Sequence, residues 1–457
     1  MSLRLAGPQH ASVLGIQLIG VDLAAGRLSM RAPATAKTAS GAGTSTLMWM
    51  PGSHSPRALR RALLLENIHP GAADRLGEAG FAVETEKGAL DEGELIERVK
   101  GVSLVGIRSR THLTAKVLEE ADQLVAVGAF CIGTNQIDLA AATKRGVTVF
   151  NAPFSNTRSV VELVIAEIIA LTRRLTDKNT DMHAGVWSKS AAGAHEVRGR
   201  RLGIVGYGNI GSQLSVLAES LGLSVGFYDV ADRLALGNAQ RFATLGDLLA
   251  WADVITLHVD GRPDNRDMFG EEEFAAMKSG SLFLNLSRGF LVDHGALRRH
   301  IESGRIAGAA VDVFYEEPAG NERTFTSRLQ GLPNVILTPH IGGSTEEAQV
   351  DIGQFVSKKL VDFVSHGSTA LSVNMPHVDL PVRAGAHGLA IVHRNTPGVL
   401  AAFNALFADH GVNIEGQALG TRGEVGYVIT DSATECTPEM LSQLRAMPET
   451  IRVLVLA

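Results

Sequence analysis

The sequence predicts an α/β protein in which one parallel-sheet domain is inserted into another, followed by a small C-terminal module of βαββαβ order. Three observations predict it. A glycine-rich strand–turn–helix–strand, "RLGIVGYGNIGSQLSVLAESLGLSVGFYD" (Arg201 to Asp229), lies mid-chain rather than opening the 457-residue sequence. On both sides of it, short apolar runs alternate with segments of helical periodicity, the pattern of parallel sheets covered by helices. After a Gly-, Pro- and Ser-rich stretch, Gly367 to Gly388, a shorter alternation begins afresh.

The first 57 residues hold four Arg, one Lys, one Asp and no Glu, with no sustained periodicity. They read as a disordered leader, with a transit peptide or a later start at Met48 or Met50 as the other readings. From Leu63 the elements follow in order. "ALLLE" is a strand, Ala72 to Ala79 a helix, "VSLVGIRS" (Val102 to Ser109) and "LVAVG" (Leu124 to Gly128) are strands. A short helix after Asp138 and the strand "VTVFN" (Val147 to Asn151) complete a first sheet. One long helix over Thr157 to Leu175 leads into the glycine-rich segment, and four more strands follow it: "VITLHV", "SLFLNLSRG", "IAGAAVDVF" and "NVILTPHIGGS". A helix from Thr345 to Val364 leads back to the first sheet. The expected domains are residues 58–155 with 343–384, of flavodoxin-like type, and 156–342, of Rossmann type, inserted between them. Residues 385–457 form the third: strand "LAIVHR", a helix capped by Thr396 and Pro397 and running to His410, two strands, a helix from Pro438, and "IRVLVL". That order is ferredoxin-like.

Composition bounds the function. Hydrophobic residues make up 45% and charged residues 20%, an ordinary globular profile. A net charge of −6 argues against general nucleic-acid binding, so any anion site must come from local clustering. The apolar segment Val160 to Leu171 is interrupted by Glu162 and Glu167 and is no membrane span. Two cysteines without metal-ligand spacing, Cys131 and Cys436, suit a reducing cytoplasm and give no metal site.

In the glycine-rich segment, Gly206, Gly208 and Gly211 form G-x-G-x-x-G between an apolar strand and a helix. The first allows a tight turn, the second lets a pyrophosphate approach the backbone, and the third lets helix and strand pack closely. The helix N-terminus offers unpaired N–H groups to phosphate. Asp229 ends the second strand, placed to take ribose hydroxyls and repel a 2′-phosphate. The cofactor expected is NAD.

Three polar residues follow strands beyond that segment: Arg288 in "NLSRG", Glu317 in "DVFYEEP" and His340 in "TPHIGGS". Taken singly they read equally well as a surface cation, a helix-start carboxylate and a loop histidine. Together they supply what reduction of a 2-keto acid needs. An arginine grips the carboxylate, a histidine gives the proton, and a carboxylate favours the imidazolium.

With "FNAPFSNTRSVVELV", "AAVDVF" and "TPHIGGSTEEAQ", these motifs resemble the D-isomer-specific 2-hydroxyacid dehydrogenases from about Arg61 to the end, within them the phosphoglycerate-oxidising branch that opens serine synthesis. The resemblance implies a catalytic trio of Arg288, Glu317 and His340. It also implies NAD contacts at Asn156, Asn209, Ile210, Asp229, Leu286, Ser287, Asp312, Gly342 and Gly343. It makes Lys87, Arg108, Ser109, Arg110 and Lys189 substrate-binding, the Trp187–Lys189 segment reaching a neighbouring subunit of an obligate dimer or tetramer. Cys131, in "GAFCIGTNQID", reads as a packing residue. "HRNTPGVLAAFNALFADHGVNI" resembles an ACT domain, whose relatives bind L-serine at positions matching His393, Asn395 and Asn413. The linker "RAGAHG" departs from the glycine pair and arginines of those relatives. Reduction of 2-oxoglutarate is a further expected activity. The competing readings are a different D-2-hydroxyacid dehydrogenase and an NAD-sensing transcriptional corepressor of the same fold.

Overall fold

The computed structural model describes residues 60–318, 324–381 and 385–456. The expected leader, residues 1–57, lies outside the described residues. The first sheet contains β1 (Arg60–Leu64), β2 (Phe81–Thr85), β3 (Val102–Ile107), β4 (Ala126–Ala129) and β5 (Thr148–Phe150), all parallel, in the order β2-β1-β3-β4-β5. This is the flavodoxin-like order. Its inner strand β3 is buried throughout, as a continuous apolar run in a parallel sheet requires. Between the strands run α1 (Pro70–Glu78), α2 (Glu92–Val99), α3 (Ala115–Glu120) and α4 (Leu139–Lys144). Sequence chemistry sets their starts. His69 precedes a proline at the first turn of α1, and Asp91 and Glu94 close a capping box on α2.

The expected helix after Thr157 is two helices, α5 (Thr157–Arg173) and α6 (Leu175–His183). Arg174 between them is left-handed (φ 52°), and its guanidinium pairs with Asp177 at 2.6 Å. The second sheet holds β6 (Arg201–Val205), β7 (Ser224–Tyr228), β8 (Gln240–Arg241), β9 (Val254–Leu257), β10 (Ser281–Asn285), β11 (Ile306–Val311) and β12 (Val335–Leu337). All are parallel, in the order β12-β11-β10-β9-β6-β7-β8. The chain reverses direction across the sheet between β6 and β9, the switch point where such folds bind ligands. Its helices are α7 (Asn209–Ser220), α8 (Leu245–Trp251), α9 (Glu271–Ala276) and α10 (His294–Glu302). Helix α11 (Glu346–His366) then returns to the first sheet, where Val356, Leu360 and Phe363 join its core.

The third sheet is antiparallel, β14-β15-β13-β16, built from β13 (His387–Arg394), β14 (Ile414–Arg422), β15 (Val425–Ser432) and β16 (Thr450–Val455). With α12 (Val399–Asp409) and α13 (Pro438–Ala446) it has the expected βαββαβ order. Helix α12 starts later than Thr396 and Pro397 suggest, because Gly398 takes the left-handed cap (φ 88°) and those two residues lie in the preceding turn.

The stretch read as a linker is, over residues 367–381, an arm tied to the first sheet. Asn374 accepts from the Val149 N–H at 2.8 Å and donates to the Val147 carbonyl at 2.9 Å. Ser372 bridges Phe150, and the Thr369 hydroxyl donates to the Pro376 carbonyl at 2.6 Å. The arm thereby covers the open edge of β5. Within "RAGAHG", Arg383 and Ala384 lie outside the described residues, while Gly388 is already part of β13. Nor does the third sheet hang free. Ala390, Val392, Val425, Tyr427 and Ile429 belong to the same buried cluster as Leu360 and Phe363 of α11. The Tyr427 hydroxyl donates to the Gly367 carbonyl at 2.7 Å, and Arg452 Nε donates to the Arg145 carbonyl at 3.1 Å.

Asn374→Ala should expose this dependence. It leaves the buried Val149 N–H of β5 and the Val147 carbonyl just before it without Asn374, a loss of about 1–3 kcal/mol for each group left unsatisfied. Urea unfolding should show destabilisation of about 2 kcal/mol or more, and an unchanged midpoint would contradict the role given to the arm.

Candidate active site

The C-terminal ends of the second sheet carry most of the candidate residues. After β6, Gly206 is left-handed (φ 92°), and a Cβ there would lie 2.6 Å from the His258 carbonyl oxygen. A Cβ on Gly211 would lie 2.3 Å from the Gly206 carbonyl oxygen, so helix α7 can meet its strand only without a side chain. Around Gly208, by contrast, nothing lies within 4 Å of a Cβ. That open cradle at the start of α7 suits a pyrophosphate. Asp229 follows β7, its carboxylate accepting from the Tyr207 and Ala231 N–H groups at 2.8 Å each, with Arg233 Nε 3.6 Å away. Asn156 Oδ1 is buried without a hydrogen-bond partner among the described residues, beside Gly343. An orphaned acceptor and an empty glycine cradle on one sheet edge fit a dinucleotide. Leu286 and Ser287 are buried next to β9, where the Ser287 hydroxyl donates to the Leu257 carbonyl at 2.6 Å.

The trio comes together at the same edge. His340 Nδ1 lies 2.7 Å from Glu317 Oε2, and Nε2 has no hydrogen-bond partner among the described residues. Glu317 is held from behind by the Phe314 N–H at 3.0 Å. The hydrogen bond to Glu317 raises the imidazole's pKa above its ordinary value, with added help from the charges of Glu317 and Asp312, against burial and the charge of Arg288. Burial works to raise the Glu317 carboxyl, but the histidine's hydrogen bond and charge outweigh it, and the net shift is downward. His340 is a left-handed residue (φ 54°). Asp312, buried after β11, fixes that turn. Its oxygens accept from the Thr338 hydroxyl at 2.6 Å and the Ile341 and Gly342 N–H groups at 2.8 Å each.

Arg288 links the two parallel-sheet units. Its Nη1 donates to the Ser287 carbonyl at 2.7 Å, and its Nη2 would lie 3.0 Å from a Cβ on Gly133, in the loop after β4 of the first sheet. Gly289 next to it allows the Arg288 loop to pack on the Phe314 backbone, which a side chain would overlap. In the Gly133 loop, the Cys131 thiol donates to the Gly133 carbonyl at 3.1 Å, and burial pushes it up to about 11. A thiol so disposed packs rather than attacks.

Of the five substrate residues read from the sequence, four lie at the ends of β2 and β3. The loops carrying Lys87 and Arg108–Arg110 meet at Glu66, and Gln136 Nε2 donates to the Arg108 carbonyl at 2.6 Å. Lys189 is not brought to them within this chain. It is exposed beyond α6 beside Trp187, which is 79% exposed. In the third sheet, His393 is fully buried. Its Nδ1 is 2.9 Å from the Arg394 carbonyl oxygen, while Nε2 is buried without a partner among the described residues. Asn395 Nδ2 donates to the Gly423 carbonyl at 3.0 Å, and Asn413 is exposed.

Sequence reasoning missed four residues that shape these loops. Asn285 accepts from the Ser287 N–H and donates to the Arg288 carbonyl, and Thr338 serves Asp312. Buried His258 is pushed down to about 3 by desolvation and is neutral. The fourth is Glu66. The signal available was a polar residue closing an apolar strand.

A nucleotide cradle sharing one sheet edge with an arginine and a carboxylate-bound histidine is the arrangement of a nicotinamide-dependent dehydrogenase of small acids. The family model "D-isomer specific 2-hydroxyacid dehydrogenase, NAD binding domain" matches residues 165–342, and "AHAS small subunit-like ACT domain" matches 389–452. D-3-phosphoglycerate dehydrogenase of Escherichia coli strain K12 is 50% identical over 397 residues, 86% of this chain and 97% of that one. The Dictyostelium discoideum protein of that name is 47% identical over 406 residues, 89% and 99% of the two chains. Among solved structures, D-lactate dehydrogenase from Aquifex aeolicus, complexed with NAD and lactic acid, superposes with a TM-score of 0.59 at 28% identity, covering 66% of this chain and 95% of that one. The chain belongs to the D-isomer-specific 2-hydroxyacid dehydrogenase family, among its D-3-phosphoglycerate dehydrogenases, and is an NAD-dependent oxidoreductase. No helix among the described residues is long and apolar enough to cross a membrane.

Asp229→Ala should weaken NAD by about 10- to 100-fold, the equivalent of one charge-assisted hydrogen bond. It should also relax discrimination against NADP, since Arg233 would remain beside the ribose position without its carboxylate. Titration of both cofactors by fluorescence checks this, and equal NAD affinity in the variant would count against Asp229.

Proposed function

We propose that the protein oxidises 3-phospho-D-glycerate to 3-phosphohydroxypyruvate with NAD, the entry step of L-serine synthesis, in the cytoplasm. The observation that carries the reading is the 2.7 Å His340–Glu317 pair at the same sheet edge as Arg288, whose charge bears on the imidazole. In this reading Arg288 pairs with the substrate carboxylate through its forked donors. His340 Nε2 accepts the hydroxyl proton during oxidation and returns it during reduction, while Glu317 holds Nδ1 and stabilises the protonated ring. Bound NAD would supply the hydride acceptor for the substrate carbon. Gly208 and the start of α7 would hold its pyrophosphate, with Asn209 and Ile210 in that first turn, and Asp229 its ribose. Asn156, Leu286, Ser287, Asp312, Gly342 and Gly343 would surround the rest. Lys87, Arg108, Ser109 and Arg110 would take the phosphate, joined by Lys189 from a second subunit of a dimer or tetramer. Reduction of 2-oxoglutarate is compatible with the same carboxylate grip.

The domain boundaries that go with this reading are 58–155 with 343–384 for the substrate domain, 156–342 for the NAD domain and 385–457 for the ACT domain. The separate sheets support them, as does packing of α5 with the core of the second sheet.

Turnover tests the assignment. NADH oxidation should run with 3-phosphohydroxypyruvate, and His340→Ala should lose about 10²–10⁴-fold in kcat while still binding NADH. Reduction consumes the protonated imidazole, so its rate falls as pH rises through the His340 pKa. Glu317→Gln removes what raises that pKa, and the alkaline limb should move to lower pH. Full turnover by His340→Ala would overturn the assignment.

In the ACT domain, the buried and unpartnered Nε2 of His393 supports ligand binding there, and Asn395 and Asn413 complete the serine-binding set. Millimolar L-serine should inhibit the wild-type enzyme, and the altered "RAGAHG" linker puts the effect at the weak end of the about 5- to 150-fold range usual for coupled sites. Asn395→Ala should be insensitive at near-normal uninhibited turnover. Wild-type enzyme indifferent to serine would leave the module an assembly domain.

A further inference from the structure

Glu66 closes the apolar run Leu63-Leu64-Leu65, directly after β1, and is 2% exposed. None of the chemistry described above uses it. Its backbone is left-handed (φ 63°), as is that of Asn67 (φ 53°), a conformation uncommon for residues with side chains. Its carboxylate gathers one loop around itself. Oε1 accepts from the Arg108 N–H at 3.1 Å and the Thr111 N–H at 2.8 Å, and Oε2 from the Arg110 N–H at 3.0 Å. The Arg110 guanidinium stands 3.6 Å from Oε2. From its other side the same turn ties a second loop, since the Glu66 N–H donates to the Gly88 carbonyl and the Asn67 N–H to the Glu86 carbonyl. Two segments carrying three candidate cations, Lys87, Arg108 and Arg110, are thus fastened to one turn, the Arg108–Thr111 loop by the Glu66 side chain and the Lys87 loop by the Glu66 and Asn67 backbone.

A buried anion beneath cations has two opposed effects on a bound phosphate. Its charge repels the phosphate, while its hydrogen bonds turn the loop amides inward and fix the backbone from which Arg108, Ser109 and Arg110 extend. Three charge-assisted bonds at 2.8–3.1 Å give shape the larger part. We propose that Glu66 is a positioning residue for specificity: it folds the Arg108–Thr111 loop into the cradle that selects a phosphorylated substrate. The inference rests on the proposed function, with the phosphate bound at these cations.

Glu66→Gln separates shape from charge, since it keeps the volume and one acceptor but replaces the other with an N–H₂ facing a donor. Steady-state reduction of 3-phosphohydroxypyruvate and of unphosphorylated hydroxypyruvate is compared in wild type and variant. The variant should raise KM for the phosphorylated substrate at least about tenfold, with kcat within about threefold. KM for hydroxypyruvate and for NADH should be unchanged. Tighter binding of the phosphorylated substrate would mean that Glu66 acts only as a repelling charge, and unchanged preference would mean it does nothing to selection. Either result overturns the inference. Wild-type enzyme showing no preference for the phosphorylated substrate would instead sink the proposed function itself. Should Glu66→Gln fail to fold by circular dichroism, Glu66→Asp, which keeps the charge one methylene short, should show the same KM shift. If that variant also unfolds, or loses NADH binding in parallel, Glu66 is a core-stability residue and the inference fails.

Discussion

The site depends on one buried carboxylate. Asp312 stands at the end of β11 with three donors on its two oxygens and its own carbonyl accepting from the His340 N–H at 2.8 Å. Those bonds hold the histidine's backbone in the left-handed region, at a cost the free chain would not accept. Removing the carboxyl from water raises its pKa, and its donors and the charge of His340 offset that rise only in part. A second buried carboxyl, Glu167 on α5, is pushed up to about 8 by burial and by the charge of Asp312, which favours its neutral form. The core under the reactive turn holds two carboxyl groups without having to hold two charges.

Topology explains why the reacting groups meet. A parallel strand delivers whatever follows it to the same edge of its sheet, and the second sheet delivers Gly206, Asp229, Arg288, Asp312 and His340 there in turn. The first sheet does the same for Glu66, Arg108 and the Gly133 loop. Arg288 reaches from one set to the other, so its position depends on the relation between the two sheets, whereas the His340–Glu317 pair is internal to the second.

Sequence reading succeeded where local chemistry and periodicity agree. The glycines of the nucleotide turn, the polar residues ending apolar strands and the βαββαβ order were all legible because each is written in local chemistry and short-range periodicity. What escaped was set by distant contacts. The 367–381 arm has the composition of a solvated linker, yet its Asn374 side chain and Ser372 backbone serve the edge of β5, more than two hundred residues away in sequence. The break at Arg174 and the cap at Gly398 each turn on one left-handed residue inside an otherwise helical or turn-like pattern. Glu66 looked like an ordinary end to a strand, because its three partners begin more than forty residues later.

The packing of the third sheet has a mechanical consequence. One face is covered by α12 and α13 through Leu389, Ile391 and Val428, and the other by α11 and the first sheet through Val392, Tyr427 and Ile429. Swinging the module about the glycines at 385 and 388 would wet that second face, at about 1.5–3 kcal/mol for each large apolar side chain exposed. The joint is therefore locked in this state, and the module and the first domain move as one mass. Any displacement of the third sheet bears directly on β5 and α11, with no slack between them to absorb it.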